Sequence, residues 1–208
     1  MNKATFILVL ALFFISCQKE ITVADSGGGT TPTTPISQKP KIGTTWQYRY
    51  YTFYSYDGSL ATSAVLTLTA KSEDVYGGDT YLNIVDKATN MTVFLLKEKA
   101  DGLYHVDNGA ASGTLLCKAP AIVNETYNSQ ILGSTENFVV KAVKDSFPTG
   151  LGTVAVNYYQ GSKNGLLFDQ IWYNENAWIV QYIVYKFDPI LGHPYYKYSS
   201  LAINSIIY

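Results

Sequence analysis

Two histidines in a chain of 208 residues leave little scope for acid–base chemistry. His105 stands two residues from Asp107, and on an extended strand that spacing puts both side chains on one face. The arrangement suits a base with its orienting carboxylate, and equally a polar surface pair. His193 belongs to Gly192-His193-Pro194, which is turn chemistry. A serine nucleophile would call for Gly-x-Ser-x-Gly; Gly161-Ser162-Lys163-Asn164-Gly165 puts its serine in the wrong place for that elbow and reads as a loop. Asp169, Glu175 and Asp188 are acids of the kind a glycosidase pairs, a reaction decided by their separation in space. Glu73-Asp74 and Asp79 flank a turn that could hold calcium loosely. No Asp-x-Asp-x-Asp loop and no Cys or His pair at ligand spacing supports a stronger metal reading. Asp25-Ser26-Gly27 matches an aspartic-protease triplet in letters only, because no second triplet follows. The expectation is a protein that is not an enzyme, with no metal and no cofactor.

What the chain has in abundance is aromatic surface, with 18 tyrosines and three tryptophans. Aromatic side chains favour strands and pair across them, and some could instead line a concave face that takes a sugar or a lipid. The candidates for ligand contact are Trp46, Tyr48, Tyr50, Trp172, Trp178 and Tyr182. Trp46, Tyr48 and Tyr50 alternate with Gln47 and Arg49, and the same face is expected to continue through Tyr54 and Tyr56. Asp57-Gly58 then marks a tight hairpin turn.

Elements able to position these residues are strands. Turn signals recur at Gly77-Gly78, Thr89-Asn90, Asp101-Gly102 and Asn108-Gly109, leaving segments too short for independent helices. Strands are predicted over 46–56, 61–71, 80–86, 91–98, 103–107, 114–117, 126–132, 136–147, 153–161, 166–173, 178–187 and 196–208. The fold class is all-β with at most one short helix: a curved antiparallel sheet forming a half-barrel or a sandwich. Pro40 to Trp46 and Pro120 to Tyr127 share a proline, a branched apolar residue, a turn residue and a Thr-aromatic strand start. Two copies are too few for a solenoid, and they suggest one similar strand start per half-sheet. Charged residues are 15% of the chain and the formal charge is −1, so no basic field exists to attract nucleic acid.

Residues 1–16 read as an export signal: Lys3, ten apolar residues from Phe6 to Ile15, then small Ser16. Ten apolar residues fall short of the about 20 that cross a bilayer core, and the layout is that of a cleaved signal. Residues 17–40 are rich in Gly, Thr and Pro and read as a disordered tether reaching roughly 25 Å. Residues 41–208 form a single antiparallel β domain. With Cys17 set aside, Cys117 is a lone thiol in an apolar run and is expected to be buried.

Phe14-Ile15-Ser16-Cys17 resembles the lipobox of bacterial lipoproteins, with Phe14 departing from the usual leucine. The resemblance implies lipidation at Cys17 by acyl chains such as palmitate, which anchor a protein stably when two or more are present. Ile42-Gly43-Thr44-Thr45-Trp46, Lys99 to Tyr104, Pro120 to Tyr127, Phe147-Pro148-Thr149-Gly150 and Ile171-Trp172-Tyr173 together resemble exported lipoproteins of Bacteroidetes-type bacteria. Their domain is similar to the Lol-type lipoprotein carriers and receptors, a half-barrel closing on an apolar cavity. Asn174 to Trp178 departs from the Gly-rich turn expected there. What the resemblance implies is a cell-envelope lipoprotein, anchored to membrane lipid and placed at the outer membrane, in its periplasmic or surface-exposed leaflet. It would bind an apolar or amphipathic ligand or maintain the envelope. The alternative is a surface glycan-binding module using its Trp and Tyr faces. A third reading is a docking protein that presents an open sheet edge.

Overall fold

The computed structural model describes residues 38–208, apart from 56, 108 and 188–194. Cys17, the export signal, the tether up to residue 37, Tyr56, Asp188 and His193 therefore lie outside the described residues. None of the described residues is helical. Twelve strands form one antiparallel sheet: β1 (Thr45–Phe53), β2 (Leu60–Tyr76), β3 (Asp79–Asp86), β4 (Thr92–Lys99), β5 (Gly102–His105), β6 (Thr114–Lys118), β7 (Thr126–Ile131), β8 (Ser134–Thr149), β9 (Gly152–Lys163), β10 (Leu166–Asn174), β11 (Trp178–Phe187) and β12 (Tyr195–Ile207).

The strand order is β6-β5-β4-β3-β2-β1-β12-β11-β10-β9-β8-β7. Two six-strand meanders, β1–β6 and β7–β12, are thus joined where β1 pairs with β12. The free edges β6 and β7 face each other, which nearly closes the sheet into a barrel. Side chains bridge this seam in place of a backbone ladder: Tyr127 donates its hydroxyl to the Leu116 carbonyl at 2.7 Å, and Thr114 Oγ1 meets Ser129 Oγ at 3.2 Å. Facing edges of this kind escape the exposure that makes open edges sticky.

The echo in the sequence has a structural counterpart. Gly43 N–H donates to Ala70 O while Ala70 N–H donates to Thr44 O; in the second half Asn124 N–H donates to Val140 O while Val140 N–H donates to Glu125 O. Gly43 and Asn124 both take positive φ, 94° and 68°, a conformation these two residue types tolerate. Each copy opens one meander, so the two halves begin with the same hydrogen-bonded hook.

Period-two alternation sends one face of both meanders inward. Leu68, Ile84, Leu96, Leu103 and Cys117 from the first half share a core with Phe138, Val140, Ile171 and Ile179 from the second. Trp46 and Trp178 lie with ring centroids 6.3 Å apart, and the gap between them and Phe94 and Leu96 is only about 10 Å³. The barrel is solid at this level.

The first strand differs from its sequence reading. It ends at Phe53 after a bulge at Thr52/Phe53, and Tyr54, 44% exposed, has left the aromatic row. Tyr54 N–H donates to Ser59 O and Gly58 N–H to Tyr54 O, while Asp57 Oδ1 takes the Ser59 amide at 2.8 Å. An Asx turn inside a wider loop replaces the two-residue turn, because the bulge uses up the residue that would have continued the alternation. Two-residue turns with positive φ at both positions do occur at Leu132-Gly133 and Asn164-Gly165.

Candidate functional site

Glu136 lies on β8 two residues before Phe138 and four before Val140, so alternation points it into the barrel with them. Asp169 on β10 shares the inward face of Ile171 and Tyr173. Gly161 on β9 sits between, paired with Phe138 on one side and Asp169 on the other. A Cβ at position 161 would come within 2.6 Å of both Glu136 Oε2 and the Phe138 ring, so glycine makes the room that Glu136 occupies. The two carboxyl groups hydrogen-bond each other, and the Tyr182 hydroxyl from β11 donates to Asp169.

Both acids are almost wholly buried, at 4% and 2% exposure. Burial, with the Asp169 charge next, pushes the Glu136 carboxyl up to about 9. Asp169 is raised as well by burial, against the pull of hydrogen bonds from Glu136 and Tyr182. Two carboxyls in contact away from water cannot both ionise cheaply, so they hold one proton between them. The remaining oxygens, Glu136 Oε2 and Asp169 Oδ1, are buried and take no hydrogen bond from any described residue.

This pair forms the floor of a cavity of about 380 Å³ at one mouth of the barrel. Its walls are Ile131, Leu132, Phe168, Val184, Phe187 and Tyr196, and its lip is apolar too, with Leu132 77% and Phe187 50% exposed. The lysines nearby are engaged elsewhere: Lys163 Nζ donates to Ser134 Oγ at 2.8 Å, and Lys186 Nζ lies 3.4 Å over the Tyr198 ring. Chemically, the cavity is of mixed character: apolar side chains share its lining with Ser134, Lys163, Tyr185 and Lys186, over a buried acid pair.

None of the six aromatic candidates lines this cavity; Tyr182 is tied to it only through its bond to Asp169. Trp46 and Tyr48 are core residues that donate to the Ala177 and Ile179 carbonyls at 3.0 and 2.7 Å. Their bonds flank Trp178, itself buried and held at φ 64°, a conformation that bulky residues adopt only when their surroundings impose it. The Asn174 side chain caps the turn before it by accepting the amides of Asn176 and Ala177. Tyr50 is half-buried beside the core. Trp172 occupies the opposite face of β10, stacked on Tyr158 at 4.4 Å and tilted against Phe147 at 5.5 Å.

The other chemical candidates are dispersed. His105 Nε2 is 2.8 Å from the Gln130 carbonyl across the seam, and burial holds its pKa below the usual value. Ser162 Oγ donates to Asn137 O. Asp79 accepts both Lys97 and Lys99 and lies below the ordinary carboxylate range for that reason; Asp74 accepts Asn83. Among the described residues no three His, Cys, Asp or Glu side chains gather as metal ligands. Cys117 is buried and its thiol is pushed up by that burial. Glu175 lines a second cavity of about 540 Å³ with Tyr173 and Asn157, at the opposite end of β10 from the turn that precedes Leu166.

Glu136 escaped the sequence search. The available signal was an acid on the apolar face of a predicted strand, beside Phe138 and Val140, and Asp169 beside Ile171 carried the same mark. No family model matches this chain, and no curated protein or solved structure is significantly similar to it.

Proposed function

We propose that this chain is a non-catalytic cell-envelope lipoprotein whose barrel mouth binds an amphipathic ligand. The cavity of about 380 Å³ carries the reading, since it combines apolar walls and lip with a polar floor at a size typical of small-molecule sites, about 300–1,000 Å³. The direct contact of Glu136 with Asp169 is closer than the roughly 5–9.5 Å that glycosidase acids need. In this proposal the lipobox-like residues ending in Cys17 supply the anchor, and an outer-membrane location follows from the resemblance to exported lipoproteins. Mass spectrometry of lipid on Cys17, lost in Cys17→Ser, tests the anchor by itself.

Native mass spectrometry of the full Cys17→Ser chain, purified without detergent, tests the cavity: a co-purifying apolar adduct supports it, and failure to take up added alkyl probes counts against it. Leu132→Asp is expected to weaken an alkyl probe about fivefold by removing apolar surface from the lip. Its stability should stay within about 0.5 kcal/mol of the parent, because Leu132 is exposed and aspartate tolerates positive φ better than leucine.

A second reading, surface glycan binding, is favoured by the half-buried Tyr158–Trp172–Phe147 stack on the outer face. Gln160 and Gln170 amides flank it by bonding the Tyr158 hydroxyl. Aromatic planes edged with amides suit sugar rings. A glycan-array signal abolished by Trp172→Ala would support this reading, and a parent protein silent across the array would end it.

A further inference from the structure

Resting on the proposal of an amphipathic ligand, we infer that its head group is an anion: a carboxylate or phosphate is held at the cavity rim by Lys163, Lys186 and Ser134, and the hydrocarbon part runs inward along Phe168 and Val184. Strand pairing brings the three donors to one mouth. Leu132-Gly133 turns the chain into β8 at Ser134, and Asn164-Gly165 turns it out of β9 just after Lys163. Because β8 pairs with β9, Lys163 Nζ reaches Ser134 Oγ at 2.8 Å. Lys186 lies near the end of β11, on the far side of β10 from β9. Neighbouring strands run about 4.8 Å apart, so two such spacings separate the lysine backbones and both long side chains can reach one head group above Phe168.

What these three side chains offer a ligand is donors. Lys163 has three N–H groups and spends one on Ser134, whose hydroxyl accepts that bond and has its own hydrogen to give. Lys186 is placed over the Tyr198 ring at 3.4 Å, a contact that uses its charge and no acceptor oxygen. The acids beneath do not compete for the head group, since Glu136 and Asp169 are almost wholly buried and bond to each other, with Tyr182 on Asp169. Lys163 offsets part of the charge on that pair, and Lys186 leaves the rim positive. An ammonium would add a third cation beside the two lysines, and a hydroxyl would bring no charge for them to meet. A carboxylate or phosphate supplies acceptors and a negative charge together, and hydrogen bonds between ionised partners are the stronger kind.

The test is calorimetric titration of the full Cys17→Ser chain at neutral pH with octanoate, octyl phosphate, octanol and octylammonium, which share a tail and differ in head. At least one of the two anions is expected to bind about fivefold tighter than octanol, with octylammonium the weakest of the four; the better anion separates a carboxylate source from a phosphate one. Added salt should erode that advantage and leave octanol unchanged. Lys163→Gln and Lys186→Gln, both at exposed positions, should each reduce the advantage about twofold, and the two together should abolish it without altering octanol binding. If all four probes bind equally, the head group is not read and the anion assignment falls while the cavity reading stands. Tightest binding by octylammonium, or an anion preference that survives both substitutions, also overturns the assignment. Absence of binding by all four would sink both readings.

Discussion

Between pH 6.5 and 9 the folded chain is expected to lose about 2 kcal/mol of stability, and Glu136→Gln is expected to abolish the loss. The Glu136 carboxyl is raised from 4.5 to about 9 in the fold, so over that interval the native state holds a proton that the unfolded chain releases. Stability conferred by a raised acid is complete below its unfolded value and drains away as pH climbs through the folded one. One proton sets a ceiling of about 1.4 kcal/mol per pH unit on the slope, and water reaching the cavity mouth screens part of it. Asp169, raised alongside Glu136, titrates as part of the same pair, while His105 and Cys117 act outside this window. His105, lowered by burial, costs stability as pH falls below 6.5, and Cys117, raised by burial, costs stability only above 9. Glutamine keeps the shape and a donor toward Asp169 but cannot ionise. Urea midpoints for parent and variant should coincide near pH 5 and separate steadily toward pH 9; parallel profiles would show that the pair does not carry the shared proton.

Trp46→Ala is expected to cost about 3–5 kcal/mol, the largest loss for any single side chain of the first strand. The indole is 2% exposed, and its removal opens a cavity against Trp178 in a region whose residual gap is about 10 Å³. It also strips the Ala177 carbonyl of its donor, which adds a desolvation cost. That carbonyl precedes the residue held at φ 64°, so the turn that starts β11 should loosen too. Trp172→Ala provides the contrast, since the ring is only half-buried, at the edge of the core, and stacks on Tyr158 and Phe147. Chemical denaturation of the two variants, with hydrogen exchange at Ile179, reads both effects. A loss below about 1 kcal/mol for Trp46→Ala would mean that this indole is not part of the packed centre.

Much of the barrel was legible in one dimension because strand signals are local. β-branched and aromatic runs between Gly and Asn turns place β3, β4, β7, β10 and β11 within a few residues of their observed bounds. Burial of Cys117 followed from its apolar neighbours. The aromatic row on β1 was legible as far as Tyr50 and then lost, because a bulge changes which residue faces the core and leaves no mark in composition. The paired hooks at Gly43 and Asn124 showed in the sequence as an echo, though their hydrogen bonds to Ala70 and Val140 depend on the strand that returns.

The candidate site was only half legible, for a physical reason. Period-two alternation by itself determines that Glu136 and Asp169 sit on apolar faces of their strands, each an acid in company that disfavours its charge. That the two acids meet depends on register across three strands, 33 positions apart in sequence, and on Gly161 lying opposite both Phe138 and Asp169. Which aromatic rings fill the centre and which coat the outside was settled the same way, by the closure of β1 onto β12. Side-chain direction is a property of one strand, whereas a pocket is a property of how strands are shifted against one another. Those shifts are fixed by packing of the whole sheet.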